Sequence, residues 1–302
     1  MDVSKRRPGY IPPIDPALLD AVERKYMDIS YAEQSDAQKL DLYYPEEAAD
    51  ERGYPVIVYF HGGGFAMGSK LDEDLEPMLR AVKYGYVLVS ADYRLAQEAR
   101  FPAAIYDAKA VIRFLRANAA GYQLDASRIG VWGPSAGGWI VGMLGTTAGN
   151  PAFEDLSMGN AEYDSSVQAV MDWCGPCGSF LDLDSQQEAL GRQIRRPHND
   201  AHSPESQFLG APIAQVPELC RLAAPINYVH KDVPPFYIVH GTADEAVCVE
   251  QSRQFYQALV DAAGEDRVQI YLAEGMPHHG NPWYTTQEMT ERCMAFFDSV
   301  LK

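Results

Sequence analysis

The feature that most restricts how this chain can fold is a recurring one. Short apolar runs rich in β-branched and aromatic residues appear at 55–60, 86–90, 129–132, 167–171, 236–239 and 268–272. A strand with one face in water alternates apolar and polar side chains, so a continuous run such as Val56-Ile57-Val58-Tyr59-Phe60 belongs in a sheet covered on both faces. Apolar positions at helical spacing lie between the runs. They are Ala104, Ala108, Val111, Ile112 and Leu115; then Phe255, Ala258, Leu259 and Ala262, closed by Gly264; and finally Met289, Cys293, Phe296, Phe297 and Val300, with Thr285 and Glu288 in capping-box register. Strands alternating with helices predict an α/β chain with a mostly parallel central sheet and helices on both faces. Two further strand-like segments, 26–31 and 39–44, suit an antiparallel edge; in the second, Leu40, Leu42 and Tyr44 alternate with polar neighbours. The length of 302 residues fits one domain over 1–302. Residues 176–233 break the alternation, being rich in Pro, Ser, Gln and His, and are predicted to form a cap or lid insertion over the carboxyl edge of the sheet.

With 47% hydrophobic residues there is ample material for a core, while the formal net charge of −17 excludes a phosphate-backbone partner, which needs a basic surface. No apolar run reaches the length of a membrane span, and residues 1–7 are charged and lead into prolines rather than an apolar signal core. The expectation is a soluble, cytoplasmic protein with no membrane partner. Five scattered cysteines do not form a disulfide framework. A homo-oligomer remains open.

In such sheets, ligand sites gather at the carboxyl ends of the strands, and four loops there carry reactive residues. Run 55–60 ends in His61-Gly62-Gly63-Gly64-Phe65, where consecutive glycines let backbone N–H groups turn towards one point, as an oxyanion requires. Run 129–132 ends in Gly133-Pro134-Ser135-Ala136-Gly137-Gly138; a serine among small residues at a strand-to-helix junction can be held on a sharp turn with its hydroxyl exposed. An ordinary turn is the alternative for either motif. Run 236–239 leads to Asp244, and run 268–272 to His278 and His279. A serine hydroxyl needs a base to take its proton and a third group to orient that base, and Ser, Asp and His occur here in that chain order, each past its own strand.

The HGGGF run, Asp92-Tyr93-Arg94-Leu95-Ala96 ahead of Phe101-Pro102-Ala103-Ala104, the G-x-S-A-G-G elbow and the Asp244 and His279 loops resemble α/β-hydrolases of the hormone-sensitive-lipase-like esterase group. Within that group the resemblance is to small bacterial feruloyl and acetylxylan esterases, and it covers roughly residues 25 to 302. It implies an α/β-hydrolase fold and a serine carboxylesterase acting on small or aromatic acyl esters, with no cofactor or metal. Ser135 is then the nucleophile, Asp244 the orienting acid, and Gly63, Gly64 and Ala136 the backbone donors of an oxyanion hole. The family pattern of a histidine directly before glycine prefers His279, with Gly280 behind it, over His278 as the base; Asp244 is preferred to Glu245 on position. Gln97 and Cys248 stand where relatives commonly carry proline. An amidase or arylformamidase on the same residues, and a non-catalytic small-molecule receptor, are the competing readings.

Phe65, Trp173, Trp283 and Tyr284 are candidates for lining a substrate pocket, with plain core packing as the alternative. Cys174-Gly175-Pro176-Cys177 has neither the helix start of a redox pair nor two further zinc ligands at suitable spacing, and is expected to pack beneath the pocket mouth. His61 and His240 are expected to brace their loops rather than to react.

Overall fold

A computed structural model describes residues 11–194, 196–278 and 283–302. Its strands are β1 (Lys25–Ser30), β2 (Lys39–Tyr43), β3 (Tyr54–Phe60), β4 (Val87–Ala91), β5 (Leu124–Pro134), β6 (Ala169–Trp173), β7 (Phe236–Gly241) and β8 (Val268–Ala273). They form one sheet in the order β1-β2-β4-β3-β5-β6-β7-β8. The pairs β1–β2 and β2–β4 are antiparallel, and every other pair is parallel. Each of the six apolar runs is a parallel strand, and the two polar-flanked segments form the antiparallel edge. One detail departs from the expected alternation in β2. Asp41 is buried rather than solvated, because its carboxylate meets the Lys70 ammonium at 2.8 Å, and a buried charge persists where it is paired.

The helices are α1 (Pro16–Asp20), α2 (Leu75–Leu79), α3 (Ala103–Ala117), α4 (Ala119–Tyr122), α5 (Ala136–Thr146), α6 (Leu183–Ala189), α7 (Pro204–Leu209), α8 (Pro217–Leu222), α9 (Val249–Ala263) and α10 (Gln287–Leu301). The two-residue period of a strand sorts its side chains between two layers. Val56, Val58 and Phe60 pack with α3, α5 and α9, whereas Ile57 and Tyr59 face α2 and α10. Helix α10 begins one residue later than the capping-box reading places it. Thr286, in extended backbone, accepts from the Met289 N–H as N-cap, so Thr285 and Glu288 do not form the box. Thr285 instead gives its carbonyl to Arg80.

Between β6 and β7 the described residues form only short helical segments, α6 to α8 with 3-10 turns, and no strand. This segment is fastened at both of its bases. The Trp139 indole of α5 donates to the Ala223 carbonyl at 2.6 Å, and the Ile226 N–H donates to the Cys177 carbonyl at 3.0 Å. No described helix is long and apolar enough to cross a membrane.

Candidate active site

Ser135 sits between β5 and α5 at φ 56° and ψ −119°, a left-handed backbone that a non-glycine residue adopts at a cost of about 1–3 kcal/mol. The turn is held by the main chain on both sides: the Ser135 N–H donates to the Trp173 carbonyl of β6 at 2.7 Å, and its carbonyl accepts from Trp139 at 3.0 Å. Gly137 shows why the flanking residues are small. A Cβ there would lie 2.0 Å from the Phe60 carbonyl oxygen at the end of β3, so α5 approaches the neighbouring strand end more closely than any side chain permits.

That strand end carries the glycine loop. Gly63, Gly64 and Phe65 all have positive φ, at 107°, 58° and 61°. The loop's own backbone bonds run from Ala66 and Met67 to the Gly63 carbonyl, so the Gly63 and Gly64 N–H groups are not used in them. Ala136 opens α5, and the first N–H groups of a helix have no intrahelical partner. His61 braces the loop as expected. It is buried, its Nδ1 meets the Gly62 carbonyl at 2.7 Å, its ring stacks on Tyr93 at 4.3 Å, and the Tyr93 hydroxyl donates to its carbonyl. Burial pushes its imidazole down to about 4, so it is neutral near pH 7.

Asp244 lies past the end of β7, fully buried. Its Oδ1 accepts from the Ala246 and Val247 N–H groups at 2.8 and 2.9 Å. Its Oδ2 contacts His278 Nδ1 at 2.5 Å and His240 Nε2 at 3.1 Å. Burial by itself raises the carboxyl, but the charge of His278 and the hydrogen bonds from His240 and His278 outweigh it and hold the group well below the usual carboxylate range. Asp244 is therefore an anion at neutral pH. Cys174, Asp244 and His278 offer ligand atoms within 4.8 Å of one another, but the carboxylate already faces four N–H donors, which is the arrangement of an acid that orients an imidazole. Glu245, the alternative acid, is exposed.

Among the described residues the histidines on the acid are His278 and His240. His279, the residue that the family pattern prefers, lies outside the described residues together with Gly280. His240 is the neighbour whose contact with Asp244 the one-dimensional reading missed; its spacing of four residues from Asp244 was the available signal.

The acid loop is also gripped by the segment between β6 and β7. The Arg192 guanidinium donates to the Asp244 carbonyl at 2.6 Å and to the Thr242 carbonyl. Gln187 donates to the Asp244 carbonyl at 3.1 Å, and His198 Nε2 meets the Ala246 carbonyl at 3.0 Å. From the same segment, Pro204 closes on the glycine loop, 2.8 Å from where a Cβ of Gly64 would stand.

Among the pocket candidates, Phe65 is buried and stacks on Phe208 of α7 at 3.9 Å. Trp173 and Tyr284 are buried against each other at 4.8 Å, while Trp283 is partly exposed and stacks on Tyr271. All five cysteines are reduced and buried. Cys177 packs under the elbow, with its thiol 3.4 Å from Asp172 Oδ2 and 3.6 Å from the Gly138 carbonyl. Burial pushes the Asp172 carboxyl up to about 6.

The sequence model of the BD-FAE family matches residues 40–259. Esterase LipQ of Mycobacterium tuberculosis is 31% identical over 235 residues, which are 78% of this chain and 52% of that protein, so the chain spans about half the length of that relative. Among solved structures, a truncated carbohydrate esterase from gut microbiota is 28% identical with a TM-score of 0.80, over 96% of this chain and 99% of the other. A bifunctional GH43-CE protein of Bacteroides eggerthii is 30% identical with a TM-score of 0.77, over 91% of this chain and 35% of the other. By sequence over most of its length and by the architecture around Ser135, the chain belongs to the BD-FAE family and has the α/β-hydrolase fold.

Proposed function

We propose that the protein is a serine carboxylesterase that hydrolyses acetyl or feruloyl esters of carbohydrate, with Ser135, His278 and Asp244 as its triad and residues 176–233 as its cap. The observation that carries this reading is the imidazole–carboxylate couple of His278 and Asp244 past β7 and β8, in a chain whose strained Ser135 stands at the end of the nearby strand β5. Relatives named esterase, and the carbohydrate esterases among similar structures, support the reaction and the substrate class. Ser135 Oγ attacks the ester carbonyl while the imidazole accepts its proton on Nε2. Asp244 holds Nδ1 and stabilises the imidazolium that forms. The N–H groups of Gly63, Gly64 and Ala136 receive the developing oxyanion, each such donor being worth about 3–4 kcal/mol. His278 then protonates the leaving alcohol, and water repeats the sequence on the acyl-enzyme.

Hydrolysis of p-nitrophenyl acetate by Ser135→Ala, His278→Ala and His279→Ala tests the assignment. Loss of the nucleophile or the base costs about a thousandfold or more in such triads, so the first two variants become inactive while His279→Ala keeps most of its turnover. The reverse pattern for the two histidines transfers the base to His279. Normal hydrolysis by folded Ser135→Ala removes the esterase reading altogether. A panel of acetyl, butyryl, octanoyl and feruloyl esters tests the acyl group, and a preference for octanoyl overturns it.

A further inference from the structure

We propose that His240 is a positioning residue for the acid: it fixes the orientation of the Asp244 carboxylate and shares with His278 the oxygen on which the base depends. This rests on the triad proposed above. His240 lies in β7, wholly buried. Its Nε2 stands 3.1 Å from Asp244 Oδ2 and 3.0 Å from the Val247 carbonyl, and its Nδ1 is 2.7 Å from Ser252 Oγ in α9.

The chemistry of these partners sets the tautomer. A carboxylate and a carbonyl only accept, so Nε2 carries the proton and donates; Nδ1 is then the acceptor, and the Ser252 hydroxyl is the donor that satisfies it. A chain of hydrogen bonds therefore runs from Ser252 through His240 to Asp244, meeting His278 at the same oxygen. The Oδ1 side is held by the Ala246 and Val247 N–H groups. With both sides fixed, the carboxylate cannot rotate away from the base.

Sharing Oδ2 also limits its basicity. A second donor withdraws electron density from the oxygen that stabilises the imidazolium, so the base is released from its proton at a lower pH than an unshared carboxylate permits. Other titratable and charged groups near this pair are Asp172 on β6, close enough to feel the charge of His240, Cys174, Cys248 and Tyr284 near Asp244, and Arg192 on the Asp244 main-chain carbonyl.

The test compares His240→Gln, whose amide nitrogen reaches the position of Nε2, with His240→Leu, which fills the space without a donor. The Gln variant keeps kcat within about threefold of the parent, whereas Leu lowers kcat by about tenfold or more with KM little changed. In the Leu variant the acid limb of kcat/KM moves to higher pH by about half a unit or more. Ser252→Ala leaves the imidazole in place, and shifts the limb the same way by less. If the Leu variant does not fold, this serine variant decides the matter. Equal losses in Gln and Leu, or an unmoved acid limb in folded Leu and Ser252→Ala variants, overturn the proposal. His278→Ala separates the two readings: its full activity defeats the triad, while its inactivity beside an unaffected His240→Leu defeats only this inference. A far-downfield proton resonance lost in His278→Ala, kept in Gln and displaced in Leu is the spectroscopic counterpart.

Discussion

Around Ser135 the geometry resides in the backbone; around Asp244 it resides in side chains. The serine is pinned by main-chain bonds to Trp173 and Trp139 and by the approach of Gly137 to the Phe60 carbonyl, so the elbow follows once β3, β5 and β6 pair and α5 packs. The carboxylate depends on His240, Ser252 and His278, and its loop is braced by Arg192, Gln187 and His198 from the segment between β6 and β7. Backbone geometry is inherited from the sheet and tolerates change in distant side chains. An assembly of side chains fails one partner at a time. The segment between β6 and β7 thus belongs to the half whose geometry rests on side chains.

Three substitutions probe this contrast, and the largest effect is expected on the backbone side. In Gly137→Ala the new methyl meets the Phe60 carbonyl, so α5 must move away from β3. Overpacking costs about 1–3 kcal/mol and here strikes backbone rather than a flexible side chain. With Ser135 as the proposed nucleophile, a displacement of an ångström there costs about a hundredfold in rate. Urea midpoint and turnover should fall together, and a variant with parental values in both would show that the elbow is as adaptable as the acid loop.

An intermediate effect is expected from Arg192→Met, which removes a charged donor from the Thr242 and Asp244 carbonyls while keeping the aliphatic stem. Hydrogen bonds of that kind contribute about 1.5–3 kcal/mol, and if half of that bears on the acid's position, kcat falls about three- to tenfold. KM should change little. Should KM rise with kcat unaltered, Arg192 would belong to substrate binding rather than to the loop.

The smallest effect on turnover, with a change in stability of opposite sign, is expected beneath the elbow at Asp172. Its folded-state carboxyl is pushed up to about 6 by burial, from an ordinary value of 3.8. A raised acid contributes stability that is fully present below its unfolded value and is lost as pH rises through the folded one. The parent therefore loses stability between about pH 4 and 6 through this group, and Asp172→Asn does not. At pH 8 the variant should be more stable by about 1–3 kcal/mol, a gap that shrinks as the pH falls towards 4. Thermal melts across that range check the sign. A variant that is less stable at pH 8 would mean that the anion, accepting from the Gly175 N–H and the Cys177 thiol, stabilises the elbow instead.

Much of the backbone half was legible in the chain itself. Residues 55–60 and 129–132 declare buried strands by composition, a signal carried by near neighbours, and the glycines at 63, 64, 133 and 137 flag tight backbone, although what leaves no room at Gly64 (Pro204) and at Gly137 (the Phe60 carbonyl) lies far off in sequence. The acid half was legible only as a list of candidates. Whether His278 or His279 meets Asp244 depends on how the loop after β8 returns across β7, some thirty residues away in sequence. The family pattern prefers His279, which lies outside the described residues, and among the described residues His278 and His240 meet Asp244.

Local periodicity and motif spacing thus determined the strand order in sequence, the alternation of helices, the elbow, the glycine loop and the chain order of the reactive residues. Tertiary structure alone decided that Thr286 rather than Thr285 caps α10, that Phe65, Trp173 and Tyr284 are enclosed in aromatic packing, that Arg192 reaches the acid loop, and that His240 shares the carboxylate with His278. The physical reason is one of range. Backbone preference and burial pattern act between near neighbours, whereas a hydrogen bond between side chains requires two distant segments to arrive within about 3 Å in the right orientation, and only the packed sheet brings Asp244 to that distance from its imidazoles.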